Sequence, residues 1–276
     1  MTFFLKRLSI LAFALSFTFG PGIAAAKTSA DDFKKLAGLD FALVERLADG
    51  GEANAQLELA TRYAAGKDVA KDERKAFEII KVLADKNDHA MYLMGAAYAN
   101  GIGVEKDDVR AVEWFRRSAA KGNANGQYWL AEMIITGRAG GPSDPKAAKP
   151  WLEKAARQGD AGSQYALAIM IGNGQAGDRP SWTRAVPHLK KAADQDISSA
   201  AMVLGILYAS GKGVKKNNDE AAKWYRRSIA IDRNAQSQVN LDQMIDAGLV
   251  KLQPGDPQLD LSAESLGLSA EVTGKN

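Results

Sequence analysis

The chain has 276 residues, a quarter of them charged, and a formal net charge of +3. So even a balance makes no case for a nucleic-acid or membrane-surface partner. It contains no cysteine, which excludes disulfides and thiolate metal sites and leaves packing to hold the fold.

Residues 1–26 read as a secretory signal peptide. Lys6 and Arg7 precede an apolar run from Leu8 to Phe19, and Ala24-Ala25-Ala26 fits cleavage before Lys27. The apolar run is short for a membrane span of roughly 20 residues. Lysine at position 27 also excludes N-terminal acylation of a lipoprotein. Cleavage would lower the charge by two, to +1, and leave 250 residues, enough for a substantial core. The expected location is the periplasm or the exterior, with no membrane insertion after cleavage.

Residues 27–50 are expected to form a leading, capping helix, visible as Asp32 to Asp49. Residues 51–248 form a repeat array. Gly66, Gly101, Gly137, Gly174, Gly211 and Gly248 follow one another at intervals of 35, 36, 37, 37 and 37 residues, a period typical of stacked helical repeats. Seven residues before each glycine stands Leu59, Met94, Leu130, Leu167, Leu204 or Leu241. Three before it stands Tyr63, Tyr98, Ile134, Ile171, Tyr208 or Ile245. The stretch before each glycine is a helix A by its apolar spacing, and the glycine suits a left-handed helix end. Six residues before the glycine the first five units hold Ala60, Gly95, Ala131, Ala168 and Gly205. A small residue fixed in a helix interior predicts close approach of another helix.

A loop follows, such as Gly101-Ile102-Gly103-Val104, then a helix B with Ile79, Trp114, Trp151, His188 or Trp224 at one fixed place. Eight residues later, Asn87, Gly122, Gly159, Asp196 and Asp232 suit a left-handed turn into the next helix A. Pro150 and Pro187 precede the Trp position in units 3 and 4, predicting a kinked or late-starting helix B there. Gly248 has no helix B after it. Residues 249–276, with Pro254, Gly255 and Pro257, read as an irregular tail in which Leu259 to Leu268 could dock.

Ala124, Gln127, Tyr128 and Leu130, together with Gly101-Ile102-Gly103-Val104 followed by Asp107, Ala111, Trp114 and Phe115, resemble the Sel1-like repeat family, a relative of tetratricopeptide repeats. The resemblance covers about 44–248. It implies an all-α, right-handed α-solenoid of about five helix-turn-helix repeats, with helix A lining the concave face.

Enzyme-like motifs have structural explanations. Ser118-Ala119-Ala120-Lys121 spells SxxK but lacks the companion motifs of penicillin-binding enzymes. Gly172, Gly174 and Gly177 spell GxGxxG after a helix rather than after a strand. His188 replaces a packing aromatic, and Arg116-Arg117 and Arg226-Arg227 solvate helix B. Tyr63, Tyr98, Tyr208, Trp114, Trp151 and Trp224 recur and read as core. No catalytic residue, no metal site and no cofactor is expected.

A partner site is sought where residues do not repeat. Twelve, eight, five and one residues before the glycine share one side of helix A, the side that the resemblance places in the groove. The candidates there are His89, Leu93, Asn100, Asn125, Trp129, Glu132, Ile169, Asn173, Val203 and Ile206. They make a groove apolar at its centre and polar at both ends, where Glu58, Thr61, Asn240 and Gln243 stand. Trp129 is the expected anchor. Asn100, Asn125 and Asn173 are expected to bond an extended backbone.

The expected function is an exported, non-enzymatic scaffold or regulator that binds a periplasmic protein or the outer domain of a membrane protein. In architecture the chain is similar to periplasmic regulators of exopolysaccharide production, which hold a sensor kinase inactive. The alternatives are a binder of cell-wall fragments or an envelope assembly factor, and, less favoured, a β-lactam-binding or hydrolysing enzyme.

Overall fold

A computed structural model describes residues 35–177, 179–253 and 256. The expected signal peptide, and all of the tail beyond 253 except Asp256, lie outside them. The described chain is helical, without a strand, and folds as two compact units, residues up to Pro142 and residues from Ser143. The division falls inside the third repeat, in the glycine- and proline-bearing loop that follows Gly137.

In the first unit, α1 (Phe41–Asp49) precedes the pairs α2 (Ala53–Ala65) with α3 (Glu73–Leu83) and α4 (Asp88–Asn100) with α5 (Asp108–Ala120), then α6 (Ala124–Ile135). In the second, α7 (Pro145–Arg157) precedes α8 (Ala161–Asn173) with α9 (Trp182–Ala193) and α10 (Ser198–Ser210) with α11 (Asn218–Asp232), then α12 (Ala235–Asp246). This is the helix-pair stacking of an α-solenoid.

The recurring glycine does what its spacing predicts. All six have φ between 66° and 75°, a region costly for any residue with a Cβ. Four of the turns are then locked from the far side. The backbone N–H groups of Asp72, Asp107, Ser181 and Asn217 bond the carbonyls of Tyr63, Tyr98, Ile171 and Tyr208 at 2.8–2.9 Å. The same four residues, with Asp144 of the third repeat, accept a backbone N–H three residues on and so cap every helix B.

The small residue six before the glycine also behaves as expected. A Cβ on Gly95 would lie 2.5 Å from the Phe115 ring, and one on Gly205 would lie 2.5 Å from the Tyr225 ring. Helix B thus presses an aromatic ring onto bare backbone of helix A. A further repeated contact was not anticipated. Gln56, Gln127 and Gln164, ten before their glycines, donate Nε2 to the carbonyls of Ala48, Ala119 and Ala156. Each side chain ties the end of the preceding helix, α1 for Gln56 and a helix B for the other two, to the next helix A.

Five expectations change. The leading segment is not one helix: it breaks at Gly38 to Asp40, and Asp40 caps α1 through Leu43 N–H. The buried Arg62 guanidinium spans the break, donating to the carbonyls of Leu36 and Leu39 while paired with Glu58 at 2.8 Å. The left-handed turn after helix B is found at Gly122, Gly159 and Asp196. At Asn87 the residue is instead an extended N-cap, and in the fifth unit the turn falls one residue past Asp232, on Arg233.

The prolines neither delay nor shorten their helices. α7 and α9 run 13 and 12 residues through Pro150 and Pro187. Each proline is the sixth residue of its helix and exposed, so the lost bond falls on the first-turn carbonyl of Lys146 or Thr183, also exposed. Water can satisfy that carbonyl, and little helix precedes it to clash with the ring.

The recurring aromatics are core only in part. Tyr63 and Trp224 are buried, but Tyr98, Tyr208, Trp114 and Trp151 are half-buried beneath Arg110, Lys190, Arg117 and Lys154. Nor do the arginine pairs merely solvate helix B: Arg117 bonds Asp85 at 3.0 Å, and Arg226 grips Asp256 with two bonds of 2.6 and 2.7 Å.

Gly95→Ala tests the close approach. Alanine favours a helix by about 1 kcal/mol over glycine, yet overpacking against Phe115 should leave the variant less stable by about 1–3 kcal/mol in urea unfolding. Adding Phe115→Leu should recover part of the loss, giving a non-additive double-mutant cycle.

Candidate functional site

Within the first unit the structure joins two expected groove residues through a row of rings. His89 and Tyr92 of α4 lie 5.5 Å apart between centroids. Tyr92 stacks on Phe115 of α5 at 6.3 Å, and Phe115 stacks on Trp129 of α6 at 6.3 Å with 20° between planes. Trp129 meets Tyr128 edge-on at 5.3 Å. The missing Cβ of Gly95 is what admits Phe115 to the middle of this row. His89 and Trp129 are partly exposed, although the indole Nε1 of Trp129 is buried, whereas Phe115 is 1% exposed.

Glu132 stands one turn past Tyr128 and Trp129, on the same side of α6. It is half-buried, and burial pushes its carboxyl up to about 7. Burial likewise lowers His89 to about 4, so that its imidazole is neutral near pH 7. The row therefore offers an aromatic wall, a neutral imidazole and one carboxylate poised near neutrality.

The other candidates divide. Leu93 is 5% exposed and belongs to the core of α4. Asn100 is exposed but turns its Nδ2 back onto the Ala96 carbonyl at 2.8 Å. Asn125 is buried, and its Oδ1 meets no donor among the described residues. Neither asparagine is presented to an extended backbone as expected. Glu58, expected at a polar groove end, is buried against Arg62, and Thr61 bonds the Leu57 carbonyl.

In the second unit Asn173 is exposed. Val203 is buried, with Ile169 packed against the same cluster, and Ile206 packs on the cluster around Tyr225 and Leu241. The apolar groove centre read from sequence is thus smaller than expected, because Leu93 and Val203 serve the core.

The sequence reading missed Tyr92, and treated Tyr128 only as part of a repeat. The signal was present: Tyr92, Tyr128 and Tyr165 stand nine residues before the glycines of consecutive repeats. Two of the three stand in the ring row, and Tyr165 of the second unit bonds Ser199.

The enzyme-like motifs resolve into packing. Ser118 is fully buried and donates its hydroxyl to the Asp88 carbonyl at 2.8 Å. Its counterpart Ser228 sits in a buried hydroxyl cluster with Ser198 and Ser237. Gly172 lies under the Trp182 ring, and Gly174 is a left-handed helix cap. His188 sits 2.6 Å from Gln164 Oε1 through Nδ1, half-buried. Among the described residues no group of three or more His, Asp or Glu side chains is arranged to hold a metal ion.

Comparison with known proteins matches the Sel1 repeat model to residues 53–88, 88–123, 124–160, 161–197 and 198–230. The Sel1-repeat-containing protein YjcO of Escherichia coli K12 is 32% identical over 107 residues, 36% of this chain and 45% of the relative. The chain thus matches less than half the length of that relative. Among solved structures, a protective antigen of uropathogenic Escherichia coli with an SLR fold shares 31% identity, with a TM-score of 0.65 over 76% of this chain and 45% of that one. A Sel1 repeat protein from Oxalobacter formigenes has a TM-score of 0.70 at 24% identity, over 82% and 93% of the two chains, which shows the fold.

The raised Glu132 carboxyl carries a stability prediction. The unfolded chain releases this proton near the ordinary 4.5 of a glutamate and the folded chain near 7. The stabilisation it brings is full below about pH 4.5 and is lost as pH rises through 7. Glu132→Gln should match the parent protein at pH 4. At pH 8 it should be more stable by about 1–2 kcal/mol, after allowance for partial exposure, as read from urea unfolding at the two pH values.

Proposed function

Because the chain belongs to the Sel1 repeat family of protein-interaction scaffolds, we propose that it is an exported, non-enzymatic scaffold whose partner docks on the aromatic row of α4, α5 and α6. The observation that carries this reading is Trp129, half-exposed at the end of the row and held from behind by Phe115. A rigid indole backed by other rings gives a large contact area without ordering a loose side chain. Such residues dominate binding energy at protein interfaces.

Export is supported by the basic residues Lys6 and Arg7, the apolar run to Phe19 and the Ala24-Ala25-Ala26 site. Among the described residues no helix is long and apolar enough to cross a membrane. The partner is then a periplasmic protein or the outer domain of a membrane protein, and the sensor domain of a signalling kinase is the favoured class. The burial of Ser118 and the packing of Gly172 under the Trp182 ring support a binding rather than a catalytic role.

A photocrosslinking residue at the exposed Thr136, one turn past Glu132, tests the reading in cells that express the full chain. Mass spectrometry of the crosslinked species should identify an envelope protein; capture of cytoplasmic proteins alone would overturn it. Trp129→Ala should weaken binding of that protein by about 1–2 kcal/mol, roughly five- to thirtyfold, with unchanged helicity by circular dichroism.

A further inference from the structure

Among the described residues Glu132 is a carboxylate without a counter-charge. Three other carboxylates of the first unit are paired: Glu58 with Arg62 at 2.8 Å, Asp107 with Arg110 at 3.2 Å, and Asp108 with Arg138 through two bonds. No cation and no hydrogen-bond donor of the described residues meets the Glu132 side chain, and desolvation alone perturbs it. A carboxylate drawn partly out of water without a partner opposes folding, so this position does not serve the stability of the isolated chain.

What surrounds Glu132 suits a cation. Tyr128 and Trp129 precede it by four and three residues, the spacing at which helix side chains are surface neighbours. Their rings stand edge to face, with Phe115 behind the indole. Aromatic faces attract guanidinium groups, and a planar fork of N–H donors fits a carboxylate with two parallel bonds. The chain already builds this arrangement for itself elsewhere: the Arg117 guanidinium lies 4.2 Å over the Trp114 ring while bonding the Asp85 carboxylate at 3.0 Å.

We propose that the ledge formed by Tyr128, Trp129 and Glu132 on α6 receives an arginine side chain of the docked protein, its guanidinium laid on the aromatic wall and two N–H groups given to the Glu132 carboxylate. The inference rests on the docking surface proposed above and names the chemistry of its anchor. Lysine is the poorer fit, because its ammonium is a strongly hydrated point charge without a flat face. The arginine supplies the charge that the ionised carboxylate lacks.

The test titrates the full chain with N-acetyl-arginine N-methylamide and, in parallel, its citrulline counterpart, which keeps the shape and loses the charge. The readout is the Trp129 indole N–H signal in NMR, assigned with Trp129→Phe. Saturable millimolar binding of the arginine compound at pH 8 is expected, at least fivefold tighter than that of the citrulline compound. Glu132→Gln should weaken it at least fivefold, and Glu113→Gln, an exposed carboxylate on α5, should leave it unchanged. Equal binding of the two compounds, or undiminished binding to Glu132→Gln, overturns the proposal.

Crosslinked capture from position 136 separates the two ways of failing. Capture that survives Glu132→Gln but not Trp129→Ala leaves the docking surface standing and removes the arginine anchor. Capture that survives both removes the docking surface itself.

Discussion

Everything in this chain hangs on one backbone event, repeated six times: a helix must end and the chain must turn back within a few residues. A residue with φ near +70° does this by reversing the local handedness, and only glycine adopts it at little cost. In four of the six the turn is held by a hydrogen bond from the next helix cap to the carbonyl three residues before the glycine. Cap, bond and glycine form one unit, which sets where helix B starts and therefore which of its residues reach helix A. The contact of Phe115 with bare Gly95, and of Tyr225 with Gly205, follows from that placement. In a chain without disulfides, such ring-on-backbone contacts and the glutamine ties between neighbouring helices do the work of crosslinks.

The repeat was legible in the sequence because its cause is local. Glycine at a left-handed helix end, a small residue under an aromatic and a short polar residue at each helix start are requirements of single positions. What was not legible depends on long-range partners. Nothing local shows that Arg62 closes on Leu36 and Leu39, or that Glu58 is its buried counter-ion. Leu93 and Val203 occupy the same helical side as Trp129, yet the core claims them, because side is set by periodicity and depth by neighbours. The prolines misled for a related reason. Pro150 and Pro187 are poor helix residues in the abstract, but in the second turn of an exposed face they lose only one bond.

The candidate site shows how a repeat array acquires individuality. Most positions of helix A answer to the scaffold, and substitutions there alter the stack. The positions that escape it are few, and in the first unit they gather at one end of α6. Trp129 is held by the same Phe115 that the scaffold places against Gly95. The scaffold therefore does not merely present the indole; it fixes its orientation. Glu132 beside it is the reverse case, a group the scaffold does not satisfy. A folded chain that keeps such a carboxylate half out of water forgoes stability at neutral pH.

The last turn of the array has a different consequence. After α12 the described chain returns over α11, where Arg226 clasps Asp256 and the carbonyl of Lys251 while Val250 enters the core around Leu241 and Met244. An open stack of this kind has a terminal surface shaped to accept another copy of itself, which is the geometry of a growing fibre. Residues 249–253 and Asp256 lay the chain's own groups against that last helix pair and place an ion pair there. The terminal repeats of an open stack need a polar outer face to stay in solution, and this ion pair supplies part of one.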